Sequence, residues 1–210
     1  MVSQGRTRTG LRTGLLGGSF NPAHRGHRFV TLEAIRALGL DEAWWMVSPG
    51  NPLKASAIDM APLVARLASA RAMARRAPIR ATAIEARMGT RYTLDTLRRL
   101  KARYPKRRFI WLMGADNLAQ FHLWRGWRGI ARAMPIAVVA RPSYNHSALA
   151  GPAMGWLRRY QRPAATAMRW TTWSLPALVL LRFRPDPTSA TAVRAADPDW
   201  QRHFAPAVDH

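Results

Sequence analysis

"GLLGGSFNPAHRGH", residues 14–27, joins an apolar run to two glycines, an Asn-Pro turn and two histidines three residues apart. The run "LRTGLL" at 11–16 stops at Gly17-Gly18 and reads as a buried strand. From His24 to Leu38 the apolar residues Phe29, Val30, Leu32, Ile35 and Leu38 recur at helical spacing, and Gly39 closes the run as a C-cap. The opening unit is therefore strand, glycine turn, helix. Glycines after a first strand let main chain approach a phosphate, and the helix start beyond them offers N–H groups to an anion.

The same alternation continues outward. "AWWMVSP" (43–49) is a second short apolar run closed by the turn-rich "PGNP", and a helix from Pro62 to Arg76 follows with Leu63, Val64, Leu67, Ala70 and Met73 on one face. A strand at 79–84, the helix "TLDTLRRLKARY", the strand "RFIWLMG" (108–114), a helical region at 115–133 and the strand "PIAVVAR" (135–141) come next. The Pro- and Ala-rich stretch 142–168 reads as a loop and helix excursion before a last strand at 177–182. Alternating strands and helices with right-handed crossovers predict an α/β, doubly wound, mostly parallel sheet with helices on both faces. Ligands of such sheets bind at the carboxyl ends of the strands, which here carry "GGSFNPAHRGH", "SPGNPLK", "MGADN" and "ARPS".

The chain has 210 residues, enough for one sizeable core, and no cysteine, which excludes disulfides and thiolate metal sites. The apolar stretch Leu175 to Leu181 is far shorter than the roughly 20 residues a membrane span needs. Residues 1–12, rich in Arg, Thr and Gly and without acids, read as a disordered basic leader with no secretory apolar region. Residues 13–210 then form a single domain, with the cytoplasm as its default location. The formal net charge is +22, from 33 basic and 11 acidic residues, which favours polyanionic partners. The arginines are scattered, however, and lysine occurs only at positions 54, 101 and 106, so the excess also fits a general preference for arginine.

His24-Arg25-Gly26-His27 sharpens the phosphate reading. Two imidazoles at the first turn of a helix, separated by a residue without a side chain, can donate to phosphate oxygens whose charge grows in the transition state. Half of a zinc site is the competing reading; it would need a third ligand nearby, and none falls in the adjoining turns.

"GGSFNPAHRGH" resembles the signature of the HxGH nucleotidyltransferases, enzymes of a Rossmann-like fold that transfer a nucleoside monophosphate from a triphosphate. "SPGNPLK" (48–54), "RYTLDTL" (91–97), "MGADNLAQFHLW" (113–124), "ARP" (140–142) and "SATAVR" (189–194) are similar to the ordered motifs of bacterial nicotinate-nucleotide adenylyltransferases. The resemblance covers residues 14 to about 195. Asn21 stands where the family more often has Asp, Leu53 where it often has His, and "TSATAVR" where it has "ISSTxIR".

The resemblance implies roles for individual residues. His24 and His27 are the catalytic pair on the reacting and leaving phosphates. Gly17, Gly18, Ser19, Phe20 and Asn21, with Asp116 at the ribose and Ser189, Thr191 and Arg194 at the triphosphate, bind ATP. Asp116 equally suits a helix N-cap. Lys54, Thr93, Trp124 and Arg141 bind the acceptor, with Trp124 stacking on the pyridine ring and Trp127 a second candidate beside it. Aromatic residues at such spacing are more often core.

The implied reaction is adenylyl transfer from ATP to nicotinate mononucleotide, giving deamido-NAD and pyrophosphate in NAD biosynthesis. It implies Mg²⁺ bridging phosphates without dedicated protein ligands, and no residue acting as covalent nucleophile. The amidated nucleotide, or another phosphate ester, is the alternative acceptor. From a different class, the charge alone suits a basic nucleic-acid-binding module, which would show a continuous basic face.

Overall fold

The first strand, β1 (Arg12–Gly18), starts within the stretch read as a leader. Arg12 N donates to Asp41 Oδ2 at 2.7 Å and Asp41 N donates to Arg12 O at 2.9 Å, so the sheet already includes residue 12. The computed structural model describes residues 10–50, 60–140, 149–183, 186 and 188–204. Its other strands are β2 (Glu42–Val47), β3 (Ile79–Thr82), β4 (Arg108–Gly114), β5 (Ile136–Ala140), β6 (Gln161–Arg162) and β7 (Leu178–Arg182). They lie in the order β3-β2-β1-β4-β5-β7-β6, and every pairing among the described residues is parallel.

The helices are α1 (Arg25–Leu38), α2 (Leu63–Ala74), α3 (Ile84–Met88), α4 (Thr93–Arg103), α5 (Ala115–Gln120), α6 (Trp127–Ala133), α7 (Pro152–Leu157) and α8 (Ala190–Ala196). The chain steps outward from β1 to β3 and then returns past β1 to β4. Right-handed crossovers therefore send α1 and α2 to one face and α4 and α6 to the other. The core divides accordingly: Leu16, Trp45, Leu112 and Val179 pack with Ala34, Leu38 and Ala70, while Leu15, Trp44, Trp111 and Leu178 pack with Leu97, Leu100 and Ile130. Adjacent strand residues serve opposite faces, so strands buried on both sides read as continuous apolar runs.

Several boundaries differ from the sequence reading. The strand expected at 79–84 ends at Thr82, and Ile84 already begins α3. The helical region at 115–133 is two helices separated by a 3₁₀ turn at Phe121–Leu123, with Gly126 at φ +68° before α6. In α2 the buried positions are Ala65, Arg66, Ser69, Ala70 and Ala74, whereas Val64 is 61% exposed. Leu63, Leu67, Ala70 and Met73 do pack on the core, but sorting by hydropathy added the exposed Val64 and left out Arg66 and Ser69, because it places arginine and serine outside. No described helix is long and apolar enough to cross a membrane.

Candidate functional site

The order of strands reverses between β1 and β4, and the crevice beyond their carboxyl ends is where a doubly wound sheet binds its ligand. Gly17 and Gly18 end β1, and Gly114 ends β4. A Cβ on Gly17 would lie 2.7 Å from Cη2 of Trp111, so the absence of a side chain there is required by packing across the strands. A cleft of about 820 Å³ between Gly10, Leu11, Asp41 and Tyr104 opens at the opposite edge, where strands begin, and no candidate residue lines it.

His24 is the N-cap of α1. Its Nδ1 accepts from Gly26 N at 3.1 Å, while His27 Nδ1 accepts from His24 N at 3.3 Å, a reciprocal capping box built from two imidazoles. Each Nδ1 faces a main-chain donor, so the hydrogen-bond network assigns the proton of each neutral ring to Nε2. The ring centroids are 3.8 Å apart. His24 is buried, and behind His27 lie the rings of Phe20 at 4.9 Å and Trp45 at 6.1 Å. Trp45 is fixed in turn by its Nε1–H donating to Thr31 Oγ1 at 2.9 Å.

Phe20 occupies left-handed backbone, φ +47°, at a cost on the order of 1–3 kcal/mol for a residue with a bulky side chain. Its ring stacks on Trp45 at 5.1 Å and is almost wholly buried. Asn21 O accepts from Arg194 Nη1 at 2.6 Å, and Asn21 Oδ1 accepts from Ala61 N at 3.1 Å. Both groups of Asn21 thus brace the turn. Thr188 O comes so close to Gly26 that a Cβ there would meet it at 2.7 Å, which seats the start of α8 against the histidine turn. Ser189 caps α8 by accepting from Ala192 N at 3.1 Å, and Thr191 is exposed on its first turn. The structure therefore joins Ser189, Thr191 and Arg194 to the His24-His27 turn across more than 160 residues of sequence. Asp186, just upstream, has its carboxyl held below the usual range by hydrogen bonds from Thr188, with Arg25 and His24 adding smaller attractions.

The second group gathers beyond β4. Thr93 is the first residue of α4, and its neighbours dock on the segment bearing Trp124: Arg125 lies 4.4 Å above the Tyr92 ring, and Leu94 fills the space over Gly126 and Gly129. Trp124 is half-buried, edge-on to Trp111 at 6.2 Å and Phe121 at 5.5 Å. Trp127 packs on Phe121 and Trp156 as part of the core wall. Asp116 is not the N-cap of α5; Gly114 is, and Asp116 stands exposed in the first turn with its carboxylate folded back over Gly114. Lys54 and Arg141 lie outside the described residues.

Sequence reasoning missed three residues here. Arg66 is buried beneath the histidine turn, where an arginine in the stripe Leu63–Ala70–Ala74 was the available signal. Glu85, half-buried in α3 beside the start of α4, has its carboxyl pushed up to about 7 by burial, with a Thr96 hydrogen bond opposing. Trp111 Nε1 is buried with no hydrogen-bond partner among the described residues, next to Gly17 and Trp124.

The cytidylyltransferase-like family profile matches residues 15–196. A protein of Erythrobacter litoralis named "Probable nicotinate-nucleotide adenylyltransferase" is 64% identical over 92% of this chain and 88% of its own length. A protein of the same name from Parvibaculum lavamentivorans is 51% identical over 88% of this chain and 92% of its own length. Among solved structures, the nicotinic acid mononucleotide adenylyltransferase of Plasmodium falciparum, complexed with NaAD, shares the fold with a TM-score of 0.64 at 14% identity, over 88% of this chain and 83% of that one. The all-parallel sheet, the paired imidazoles at its switch point and these likenesses converge: the chain belongs to the cytidylyltransferase-like nucleotidyltransferases and, within them, to the nicotinate-nucleotide adenylyltransferase family.

Proposed function

We propose that the protein transfers the adenylyl group of ATP to nicotinate mononucleotide, yielding deamido-NAD and pyrophosphate. A phosphate oxygen of the mononucleotide attacks the α-phosphorus, the bond from that phosphorus to the oxygen bridging to the β-phosphate breaks, and the electron pair leaves with pyrophosphate. The observation that carries the reading is the reciprocal capping of His24 and His27, which leaves Nε2–H as the donor of each neutral ring at the carboxyl edge of the sheet. Such donors stabilise charge accumulating on phosphate oxygens without having to reorganise.

Arg194, with one Nη1 on Asn21 O, retains further donors for the triphosphate, and the hydroxyls of Ser189 and Thr191 stand beside it. Thr93 and the ring of Trp124 serve the nicotinate end, and Asp116 the ribose. Lys54 and Arg141 complete the acceptor site by family resemblance. The donors at this edge are imidazole and main-chain N–H, hydroxyl and guanidinium, a set that suits phosphate oxygens. A divalent ion carried by phosphates and water would suit this set of donors. Mg²⁺ bound in this way would supply charge neutralisation on the triphosphate.

Pyrophosphate release, measured with ATP and either nicotinate or nicotinamide mononucleotide, tests the assignment. The acid is expected to be strongly preferred, because donors arranged for a carboxylate oppose the N–H₂ of an amide. Equal use of the two would overturn the choice of acceptor and leave adenylyl transfer standing.

A further inference from the structure

Arg66 lies in α2 with 1% of its surface exposed, and among the described residues all its hydrogen bonds go to main-chain oxygens. Nε donates to Ala61 O at 2.7 Å, Nη1 to Ser19 O at 2.8 Å and Ser48 O at 2.7 Å, and Nη2 to Pro49 O at 3.4 Å. No described carboxylate neutralises it. A buried charge so placed is costly, and an apolar residue would fill the same helix face. What the guanidinium achieves is geometric: one rigid fork spans the turn after β1, the end of β2 and the approach to α2.

Those three segments bear on the histidines. Ser19 O immediately precedes the left-handed Phe20, and Asn21 O immediately follows it. Arg66 holds the first and Arg194 the second. Ala61 closes the circuit, giving its N–H to Asn21 Oδ1 and its carbonyl to Arg66. Left-handed backbone at a bulky residue persists only where its surroundings over-determine it, and these bonds on either side of Phe20 do so. The Phe20 ring then rests against His27.

We propose that Arg66 is a positioning residue for adenylyl transfer, whose forked donors hold the Ser19–Asn21 turn in register so that the Phe20 ring seats His27 for its phosphate. Lysine keeps the charge but has a single nitrogen and cannot span these carbonyls. The kinetic part of this inference rests on the adenylyl-transfer reading, whereas its geometric part does not.

The test uses the full chain with Arg66→Lys and Arg66→Gln, and with Leu67→Ala as a destabilised control on the same helix. Long-range ¹H–¹⁵N spectra of the imidazoles, recorded without substrate, are expected to show Nε2–H tautomers for His24 and His27 in the wild type and in Leu67→Ala, and a tautomer mixture for His27 in Arg66→Lys. Pyrophosphate release from ATP and nicotinate mononucleotide is expected to fall about 100-fold in kcat for Arg66→Lys, with KM changed less than about fivefold, as a small misplacement of a reacting group produces. Leu67→Ala should lower the melting temperature and leave kcat unchanged. Unaltered tautomers with kcat within about threefold of wild type would overturn the proposal, since misplacement costs far more. Failure of both Arg66 variants to fold would overturn it too, showing the residue to serve the fold itself. A wild type that does not use nicotinate mononucleotide would instead refute the acceptor assignment, leaving the tautomer comparison to judge Arg66.

Discussion

At the scale of single residues, His24 is a helix cap and, in the proposed reaction, a donor to phosphate, and the two tasks can be separated. Asparagine is among the best N-caps, so His24→Asn should keep the urea midpoint near wild type while lowering kcat by about 100- to 1,000-fold, the loss typical of one transition-state donor. His24→Ala should show the same kinetic loss together with a stability decrease of about 1 kcal/mol from the missing cap. Trp124→Ala should raise KM for both pyridine nucleotides without reversing their order, because a ring face binds either pyridine; steady-state kinetics with the two nucleotides decides this. The imidazole pair was legible in the sequence from its spacing and glycines. Its capping geometry was not, because histidine is an unusual cap and only coordinates show which nitrogen accepts. Arg66 escaped for a related reason: an apolar stripe is found by hydropathy, and hydropathy places arginine outside.

At the scale of elements, α3 and the start of α4 carry a testable pH dependence. Burial raises the Glu85 carboxyl from its ordinary 4.5 to about 7 in the folded protein, so between those values the folded state binds more protons than the unfolded chain. Its stabilising effect is fully present below the unfolded value and is lost as pH rises to about 7. Glu85→Gln should therefore flatten the stability profile and raise unfolding stability near pH 8 by on the order of 2 kcal/mol, measured by urea titration at about pH 5 and about pH 8. The other end of the chain gives a second test. Removing residues 1–9 should leave activity and melting temperature unchanged, since they show no apolar periodicity. Removing 1–12 takes away the first rung of β1 with the Arg12–Asp41 bonds, and the melting temperature should fall. The sequence placed the strand to within two residues at either end. It could not set the end of the leader, because Arg12 joins the sheet through its main chain while its side chain reads as leader.

At the scale of the whole molecule, the charge of +22 is spread along the sequence, and among the described residues Arg66 is the one buried cation. Arg66 lies on carbonyls, Arg28 donates to Met73 O and Arg75 O, and Arg128 and Arg132 rest on the rings of Trp127 and Trp156. Many of the cations thus serve local contacts. Their summed field still reaches the solvent, so kcat/KM for ATP should fall roughly tenfold between about 20 and about 300 mM salt while kcat stays constant, as expected when screening weakens steering of an anion. A kcat that fell in parallel would place the salt effect in the chemical step.

The sequence by itself determined the fold class of this protein and singled out the glycine-histidine turn as its candidate chemical centre. Strands buried on both faces read as apolar runs, helices as periodic ones, and the glycine-histidine turn is contiguous in the chain, so each signal is local. Only the tertiary structure decided how distant segments serve that centre. Parallel pairing set β4 against β1 and brought Trp124 and Thr93 to one edge, and packing of Thr188 on Gly26 delivered Arg194 to the histidine turn. The same packing turned Arg66 inward onto four carbonyls. Apart from the Arg66–Ala61 bond, those contacts join residues from 17 to 173 positions apart, and the main-chain oxygens and backbone angles on which they depend carry no side-chain signature that a sequence can display.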